Sequence, residues 1–291
     1  MPLPELDARN LDQEVADYLF DVNGFLILRN AVDQKDVAAM NQWIDDHWDY
    51  VRRSDAHDDV SHVDKWIGHV HTHAYSGPDG SNFQNIIEGG DVFEKMIDNP
   101  SWIELMRRYC NAPANRLSIY ENLLSVRGKG GWIGIHSGGH MPIHYMTFRQ
   151  PNTGEWMVGQ INVITALTDI GPGDGPTTLV PGSHKAAIPH PKLTGGTVYR
   201  TDGAAGEQLG MMELYLNKGD TVMFTDAITH GSAERTNPGH RRMILYRYSP
   251  GWVRERFNYQ PSEALLARLT QERRDIIEVI PPRTPPVERK A

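Results

Sequence analysis

His230 and Arg241 are the residues around which a chemical site is most readily built in this sequence. His230 follows the β-prone run 221–224 and a tight turn that contains Asp226, and Arg241 comes eleven residues later, after a second polar turn. His136 is a natural partner, because it also ends a short β-prone run and enters a glycine-rich turn. An antiparallel sandwich or jelly roll brings the ends of such sequence-distant strands together.

These residue types suit one kind of metal chemistry. Imidazole is the commonest metal ligand in proteins. When two histidines and a carboxylate occupy one face of Fe(II), the remaining positions can take a bidentate 2-oxo acid and O₂. A nearby guanidinium would pair with the far carboxylate of the 2-oxo acid. The sequence therefore predicts a metal site at His136 and His230 beside a carboxylate-binding Arg241, and Gly231 would let the metal or substrate approach the backbone.

The composition is typical of a globular protein that works in solution. The chain has 291 residues, of which 39% are apolar, and a formal net charge of −8. This charge argues against a nucleic-acid partner, and no stretch approaches the roughly 20 apolar residues of a membrane span. The N-terminus is acidic and polar, unlike a secretory signal, and the single cysteine, Cys110, excludes an intramolecular disulfide. We predict a cytoplasmic protein that acts on a small molecule, and the sequence leaves the oligomeric state open.

One domain is predicted, because the sequence shows neither an internal repeat nor a linker. It comprises a helical part over about residues 1–115, a jelly-roll core over about 116–252, and a C-terminal helix with a proline-rich tail over 253–291. Predicted helices cover residues 11–21, 36–48, 91–99, 101–110 and 262–274, and predicted strands cover 24–29, 117–127, 132–136, 160–169, 177–180, 197–200, 211–216, 221–224 and 243–248.

Residues 52–90 differ from their surroundings, being polar, rich in histidine and interrupted by a Gly-Pro-Asp-Gly turn. We predict a long loop here, and such a loop is usually functional or disordered. Its His69, His71 and His73 are expected to be solvated, with a lid that lines the substrate pocket as the functional alternative.

Several motifs resemble those of a known family. They are Asn23-Gly-Phe-Leu-Ile-Leu, Ile135-His-Ser-Gly-Gly, Ala166-Leu-Thr-Asp169, Gly173-Asp-Gly175, Leu179-Val-Pro-Gly-Ser-His-Lys185, and the stretch from Gly219-Asp to Tyr246-Arg-Tyr-Ser-Pro250. The chain resembles the phytanoyl-CoA dioxygenase-like branch of the Fe(II)/2-oxoglutarate-dependent oxygenases. The resemblance implies a mainly β fold with flanking helices and a double-stranded β-helix (jelly-roll, cupin-like) core. It also implies Fe(II), 2-oxoglutarate and O₂ as cofactor and cosubstrates.

The resemblance assigns roles to particular residues. It implies that His136 is the proximal iron ligand, that His230 is the distal one, and that Arg241 binds 2-oxoglutarate. Arg242 competes for that last role, but consecutive residues of a strand point to opposite faces, and the family spacing favours Arg241. His184, in the loop Pro-Gly-Ser-His-Lys, is expected to be structural.

The chain departs from the family pattern next to His136. The common proximal motif is His-any-Asp, whereas Gly138 stands here in place of the carboxylate. Asp226 would supply the missing ligand if the turn before His230 folds back, since an extended strand would separate the two by roughly 13 Å. Alternatively, a halide fills the vacancy, or His140 or His144 completes a three-histidine site.

These alternatives lead to different functions. With Asp226 as ligand, the chain is predicted to be an Fe(II)/2-oxoglutarate-dependent dioxygenase that hydroxylates a small molecule and releases succinate and CO₂. With the vacancy at Gly138 filled by halide, the prediction becomes a halogenase. A cupin-like binding protein without turnover is the alternative from another class.

Overall fold

The structure, a computed structural model, describes residues 3–51, 65–73, 80–112, 116–137, 148–150, 152–193, 204–253 and 259–278. Its helices are α1 (Gln13–Asn23), α2 (Gln34–Asp46), α3 (Asp91–Glu94), α4 (Ile103–Tyr109), α5 (Glu263–Arg268) and α6 (Gln271–Ile277). The strands of its first half are β1 (Glu5–Asp7), β2 (Phe25–Arg29), β3 (Lys65–Ile67), β4 (Val70–His73), β5 (Gly80–Gln84), β6 (Leu117–Arg127) and β7 (Ile133–His136). Those of its second half are β8 (Ile161–Ala166), β9 (Thr177–Leu179), β10 (Met212–Glu213), β11 (Thr221–Thr225), β12 (His230–Ser232) and β13 (Arg241–Pro250).

The strands from β6 to β13 form a jelly roll of two sheets. Four of them lie side by side in the large sheet in the order β11-β8-β13-β6, and the other four form the small sheet in the order β10-β9-β12-β7. Every pairing among these strands is antiparallel. The predicted mainly β fold with a double-stranded β-helix core is confirmed.

Strand alternation gives the large sheet two different faces. On β13, Ile244 belongs to the hydrophobic core beneath the helices, whereas Leu245 belongs to the core between the two sheets. Residues paired directly across neighbouring strands share a face, and the same division holds on β6, where Leu124 pairs with Ile244 and Leu123 pairs with Leu245. The face that carries Leu123 and Leu245 is called the inner face below, and the face that carries Leu124 and Ile244 the outer face.

Helix α1 covers the outer face and is held at both ends. The Asp12 carboxylate accepts hydrogen bonds from the first-turn N–H groups of Glu14 and Val15. The helix ends at Gly24, whose φ of 79° is the left-handed conformation that favours glycine at this position. The turn also lacks room for a side chain, because a Cβ at Gly24 would lie 2.4 Å from the His184 ring.

The long loop predicted over residues 52–90 is wrong in its described part. β3, β4 and β5 extend the large sheet beyond β6, in the order β6-β5-β4-β3. Their outer face is apolar in part, since Val70 and Phe83 are buried in the core beneath the helices. Their inner face carries polar side chains such as Asn82 and Gln84. Because of these polar residues, the sequence does not show the apolar alternation typical of a strand. Pairing with β6 stabilises the strand conformation.

Smaller differences concern element boundaries. The helix predicted over 262–274 is two short helices, because Thr270 leaves the helical conformation and caps α6 by accepting a hydrogen bond from Arg273 N–H. The strand predicted over 211–216 is limited to β10. The strand predicted over 197–200 and the tail over 281–291 lie outside the described residues. No helix in the described ranges has the length and apolar character needed to cross a membrane.

Candidate active site

His136 and His230 face each other across two strands of the small sheet. They are directly paired in the register of β7 and β12. Their ring centroids are 4.0 Å apart, and the two residues are 8% and 5% exposed. The pairing arises because β12 lies between β7 and β9. The structure thus brings together the two histidines that the sequence predicts as partners.

The orientation of both rings is fixed by the backbone two residues before each histidine. Nδ1 of His136 lies 3.0 Å from the Gly134 carbonyl oxygen, and Nδ1 of His230 lies 2.8 Å from that of Ile228. A carbonyl oxygen only accepts, so Nδ1 carries the proton and donates in each ring. In the neutral ring this leaves the lone pair on Nε2, the tautomer that a metal requires.

Burial keeps both imidazoles neutral. Burial, together with the neighbouring His230, lowers the pKa of His136 to about 3, and burial also lowers the pKa of His230. Removal from water penalises the charged form of each ring. Neutral imidazole is the form that binds a metal, so neither histidine has to lose a proton at neutral pH.

Asp226 lies against His230, because the turn between them folds back. The Ile228 N–H donates to the Thr225 carbonyl at 3.1 Å within this turn. As a result, Oδ1 of Asp226 lies 3.6 Å from Nε2 of His230. Asp226 is fully buried, and its Oδ2 has no hydrogen-bond partner among the described residues.

A chain of buried polar side chains orients the Asp226 carboxylate. Asn162 Nδ2 donates to Oδ1 of Asp226 at 2.7 Å, and Gln160 Nε2 donates to Oδ1 of Asn162 at 3.2 Å. The Tyr120 hydroxyl donates to Oε1 of Gln160. Asn162 was not singled out from the sequence. The sequence feature that indicates Asn162 is a pair of alternating amides, at positions 160 and 162, in a mainly apolar stretch.

The side chains at this site are of the types that bind a divalent metal ion. Within the described ranges, no group of three His, Cys, Asp or Glu side chains is already placed to hold a metal ion. However, His136, His230 and Asp226 supply two neutral imidazoles and a carboxylate, and Oδ2 of Asp226 is buried without a hydrogen bond. Burying an unpartnered carboxylate oxygen is costly, and a cation would offset that cost by drawing the three side chains together.

Arg241 enters the same cavity from the large sheet. It is 1% exposed, and of its guanidinium nitrogens only Nη1 has an identified partner, the Gly175 carbonyl oxygen. Nε and Nη2 are buried without hydrogen-bond partners among the described residues. Burial, reinforced by the positive charges of Arg127 and Arg235, lowers the pKa of Arg241 well below its ordinary value. The negative charge of Asp174 raises its pKa, but no carboxylate among the described residues is hydrogen-bonded to this buried guanidinium.

Arg242 points the other way. Its Nη2 lies 2.6 Å from the Asp45 carboxylate of α2, and its Nη1 donates to Oδ1 of Asn41 at 3.1 Å. Its guanidinium also lies over the Trp48 ring. Of the two neighbouring arginines, therefore, Arg241 is the one that faces the histidines.

The site residues line one cavity between the two sheets. Its walls come from β7, β9 and β12 on one side and β8, β11 and β13 on the other: Ile133, His136, Asn162, Ile164, Thr177, Phe224, His230, Gly231, Ser232, Arg241, Met243, Leu245 and Arg247. Arg247 was not singled out from the sequence. Its Nη1 lies 2.9 Å from Oε2 of Glu121, and the Glu121 residue is 4% exposed.

Comparison with known proteins agrees with this architecture. A family model described as phytanoyl-CoA dioxygenase (PhyH) matches residues 20–243. The chain belongs to the phytanoyl-CoA dioxygenase family.

Relatives within the phytanoyl-CoA dioxygenase family are distant. The human protein "Phytanoyl-CoA dioxygenase, peroxisomal" is 31% identical over 115 residues, which cover 38% of this chain and 32% of the human protein. This chain thus spans about a third of the human relative in that match. A probable phytanoyl-CoA dioxygenase of Caenorhabditis elegans is 23% identical over 239 residues, covering 79% of this chain and 73% of the relative.

The fold of this family member also matches a solved structure. HygX from Streptomyces hygroscopicus, crystallised with nickel, 2-oxoglutarate and hygromycin B, superposes with a TM-score of 0.62 at 18% identity. The match covers 84% of this chain and 90% of HygX. At this level of identity the likeness concerns the fold.

Other polar residues of this family member lie outside the cavity or support its walls. Arg127 donates to Oγ of Ser232 at 2.6 Å, and Lys129 is exposed. Asn122 faces the helices, because its Oδ1 accepts from Ile87 N–H at 2.9 Å. His184 contacts the backbone carbonyl of Asp21 at 3.1 Å, in agreement with its expected structural role.

Gly231 lines the cavity, where a ligand could approach its backbone. The space on its Cβ side is filled, because a Cβ there would lie 2.6 Å from Ala205 and 2.8 Å from the Ile133 carbonyl oxygen. Glycine is needed at this position for close packing of β12. Gly138, His140 and His144 lie outside the described residues.

Proposed function

We propose that this chain is a single-domain Fe(II)/2-oxoglutarate-dependent dioxygenase that hydroxylates a small molecule. Fe(II), 2-oxoglutarate and O₂ supply the oxidising chemistry when bound: one oxygen atom enters a C–H bond of the substrate, and the other leaves in succinate, with release of CO₂. Membership of the phytanoyl-CoA dioxygenase family supports this chemistry, as does the fold that the chain shares with a 2-oxoglutarate-bound protein.

The observation that carries the proposal is Arg241. A guanidinium that is 1% exposed, with Nε and Nη2 lacking hydrogen-bond partners in the described part of the chain, is costly to bury without an anion. It lines the cavity that His136 and His230 also line. The planar guanidinium can donate two parallel hydrogen bonds to one carboxylate. A dicarboxylate could therefore bind the metal at one end and Arg241 at the other.

In this proposal His136, His230 and Asp226 hold the iron. Both histidines present neutral rings whose Nδ1–H groups are fixed by backbone carbonyl oxygens. Asp226 contributes one negative charge. Asn162 holds its Oδ1, and its Oδ2 has no hydrogen-bond partner within the ranges that the structure describes. Two histidines and one carboxylate leave three positions on an octahedral metal. The contact of Asp226 with His230 supports a carboxylate ligand over a halide.

The walls of the cavity exclude water around the reacting groups. Ile164, Phe224, Met243 and Leu245 provide apolar surface between the histidines and Arg241. In a site of low polarity the attraction between Arg241 and a carboxylate is stronger than in water. The same apolar wall protects reactive species from side reactions with solvent.

Turnover of 2-oxoglutarate is the direct test. We expect the anaerobically loaded Fe(II) protein to bind 2-oxoglutarate and, on exposure to O₂, to form succinate slowly even without the substrate. Succinate should be absent when Fe(II) is omitted and should be lost in His230→Ala. If Fe(II) and 2-oxoglutarate do not bind, or if no succinate forms under any condition, the chain is a cupin-like binding protein. A product that contains chloride and depends on it would indicate the halogenase.

A further inference from the structure

The inner face of the large sheet continues past the catalytic cavity as a polar surface. From β13 outward the strands are β6, β5, β4 and β3. We call the polar side chains on this face the polar shelf, defined as Glu121 of β6, Asn82 and Gln84 of β5, and His71 of β4.

Strand register places the polar shelf on the same face as the cavity. Leu245, which lines the cavity, pairs with Leu123 of β6, and Leu123 pairs with Gln84 of β5. Gln84 pairs in turn with His71 of β4, and His71 with Trp66 of β3. Directly paired residues point to the same side of a sheet. One row therefore runs from the cavity wall to Trp66.

Polar contacts join this row to the cavity. Arg247, a cavity residue, lies 2.9 Å from the Glu121 carboxylate, and Gln84 Nε2 lies 3.4 Å from the other oxygen of Glu121. Asn82 and Gln84 are 5% and 9% exposed, so these amides are enclosed rather than solvated. The polar shelf is therefore a preformed polar surface that adjoins the cavity.

The exposed aromatic residue Trp66 lies at the outer end of this row of paired residues. Trp66 is 59% exposed, and its ring is stacked on that of His71 with 4.6 Å between centroids and 30° between planes. A large exposed ring held flat by a neighbour offers an apolar face to a ligand. Strands lie about 4.8 Å apart, so β3 is about 19 Å from β13.

We propose that the polar shelf binds the part of the substrate that lies away from the reacting carbon, and that the substrate is a hydroxyl-rich ring compound. This inference rests on the proposed function for the position of the reacting carbon. Amide and carboxylate side chains supply both donors and acceptors for hydroxyl groups. Trp66 supplies a flat apolar face for the non-polar side of a ring. The length of the row suits a molecule of two or three linked rings.

A fatty acyl chain does not fit this surface. It would cover the small exposed parts of the Asn82 and Gln84 amides, which are 5% and 9% exposed, without offering them a hydrogen bond. Burying a polar group in that way weakens binding. Hydroxyl groups avoid this cost because they pair with the amides. The polar shelf thus selects against the acyl substrates that the family name suggests.

The test is a binding measurement with a fluorine label. Protein containing 5-fluorotryptophan gives one ¹⁹F resonance for each of its seven tryptophans, and Trp66→Phe identifies that of Trp66. The probes are cyclitols, aminocyclitols and di- and trisaccharides in one arm, and acyl-carnitines of increasing chain length in the other. Each is added to protein loaded with Fe(II) and 2-oxoglutarate under anaerobic conditions. Trp252, which is 57% exposed at the far end of β13, is the internal control.

We expect at least one hydroxylated probe to shift the Trp66 resonance and to leave that of Trp252 in place. Gln84→Leu and Asn82→Leu should each weaken its binding at least tenfold, and the remaining tryptophan resonances report whether these variants are folded. The inference is overturned if no hydroxylated probe moves the Trp66 resonance, or if only the acyl probes do so.

Failure of the proposed function has a different signature. Protein that does not bind Fe(II) and 2-oxoglutarate would overturn the proposed function, and this is measured without any probe. Loss of the Trp66 response in a protein that still binds both would overturn only the assignment of the shelf. The Gln84→Leu variant is expected to retain wild-type affinity for 2-oxoglutarate.

Discussion

Asp226 and His230 are four residues apart in the chain, yet the Asp226 carboxylate lies 3.6 Å from Nε2 of His230. In an extended strand the same spacing would separate the two residues by roughly 13 Å. The turn after β11 folds back and closes this gap, while the pairing of β7 with β12 brings His136 beside His230. Two imidazoles and a carboxylate thus lie near one another, although Gly138 stands in place of the acid that usually follows the proximal histidine.

Replacing Asp226 tests whether it completes the metal site. Asp226→Asn keeps the volume of the side chain but removes its charge, so we expect the affinity for Fe(II) to fall at least a hundredfold. Anaerobic isothermal titration calorimetry measures this directly. Asp45→Asn, which alters an exposed carboxylate paired with Arg242, serves as the control and should bind iron like the wild type. Unchanged iron affinity in Asp226→Asn would place the third ligand elsewhere.

Replacing Arg241 should have opposite effects on binding and on stability. Arg241→Met removes charge-assisted hydrogen bonds worth about 1.5–3 kcal/mol, so the affinity for 2-oxoglutarate should fall ten- to hundredfold or more. The same change removes a buried cation that has no carboxylate bonded to it among the described residues, and the free energy of unfolding of the cofactor-free protein should rise by about 1–3 kcal/mol.

Arg242→Met is the matched control for Arg241. It removes a partly exposed ion pair with Asp45, so it should cost less than about 1 kcal/mol in stability and leave 2-oxoglutarate binding unchanged. Calorimetry and urea unfolding of both variants give the comparison. If Arg242→Met were the variant that loses 2-oxoglutarate, the assignment of the carboxylate partner would be wrong.

Asn162 should act through Asp226. Asn162→Leu removes the donor at 2.7 Å that holds the carboxylate, and loss of such a partner typically weakens metal affinity ten- to hundredfold. Thr165→Val on the same strand is the control, because Thr165 bonds to Thr221 instead. We expect Thr165→Val to lower stability without changing Fe(II) affinity. Equal metal affinity in the two variants would contradict a positioning role for Asn162.

His184 should make the protein less stable in mild acid. Burial lowers the pKa of His184 to about 4, below the value of about 6.5 in an unfolded chain. Between these values the unfolded state binds a proton that the folded state does not, so stability falls as the pH drops from about 6.5 toward 4. From about pH 7.5 to about pH 5 this group should remove up to about 2 kcal/mol.

The variant His184→Gln isolates this contribution. Its amide can donate to the Asp21 carbonyl as the imidazole does, but it does not titrate. Urea unfolding at both pH values should show a smaller loss for the variant by up to about 2 kcal/mol. Parallel pH profiles for the two proteins would rule out a role for His184 in acid sensitivity.

The fold, and three residues of the candidate site, could be predicted from the sequence. β-prone runs between glycine and proline turns indicated the jelly roll, and the family motifs singled out His136, His230 and Arg241. Strand alternation indicated that only one of Arg241 and Arg242 can face the site, and the spacing in the family favoured Arg241. The fold prediction depends on local patterns, whereas the roles of these residues depend on the family resemblance.

Other features required the tertiary structure, because they depend on partners far away in the chain. Residues 65–73 and 80–84 look like a polar loop in the sequence. Only the register of β5 with β6 shows that Asn82 and Gln84 share a face with the cavity. Asn162 acquires its role only by meeting Asp226, 64 residues later. Above all, the folding back of one turn made Asp226 a neighbour of His230. The sequence by itself determined which residue types were available, and the pairing of strands decided which of them meet.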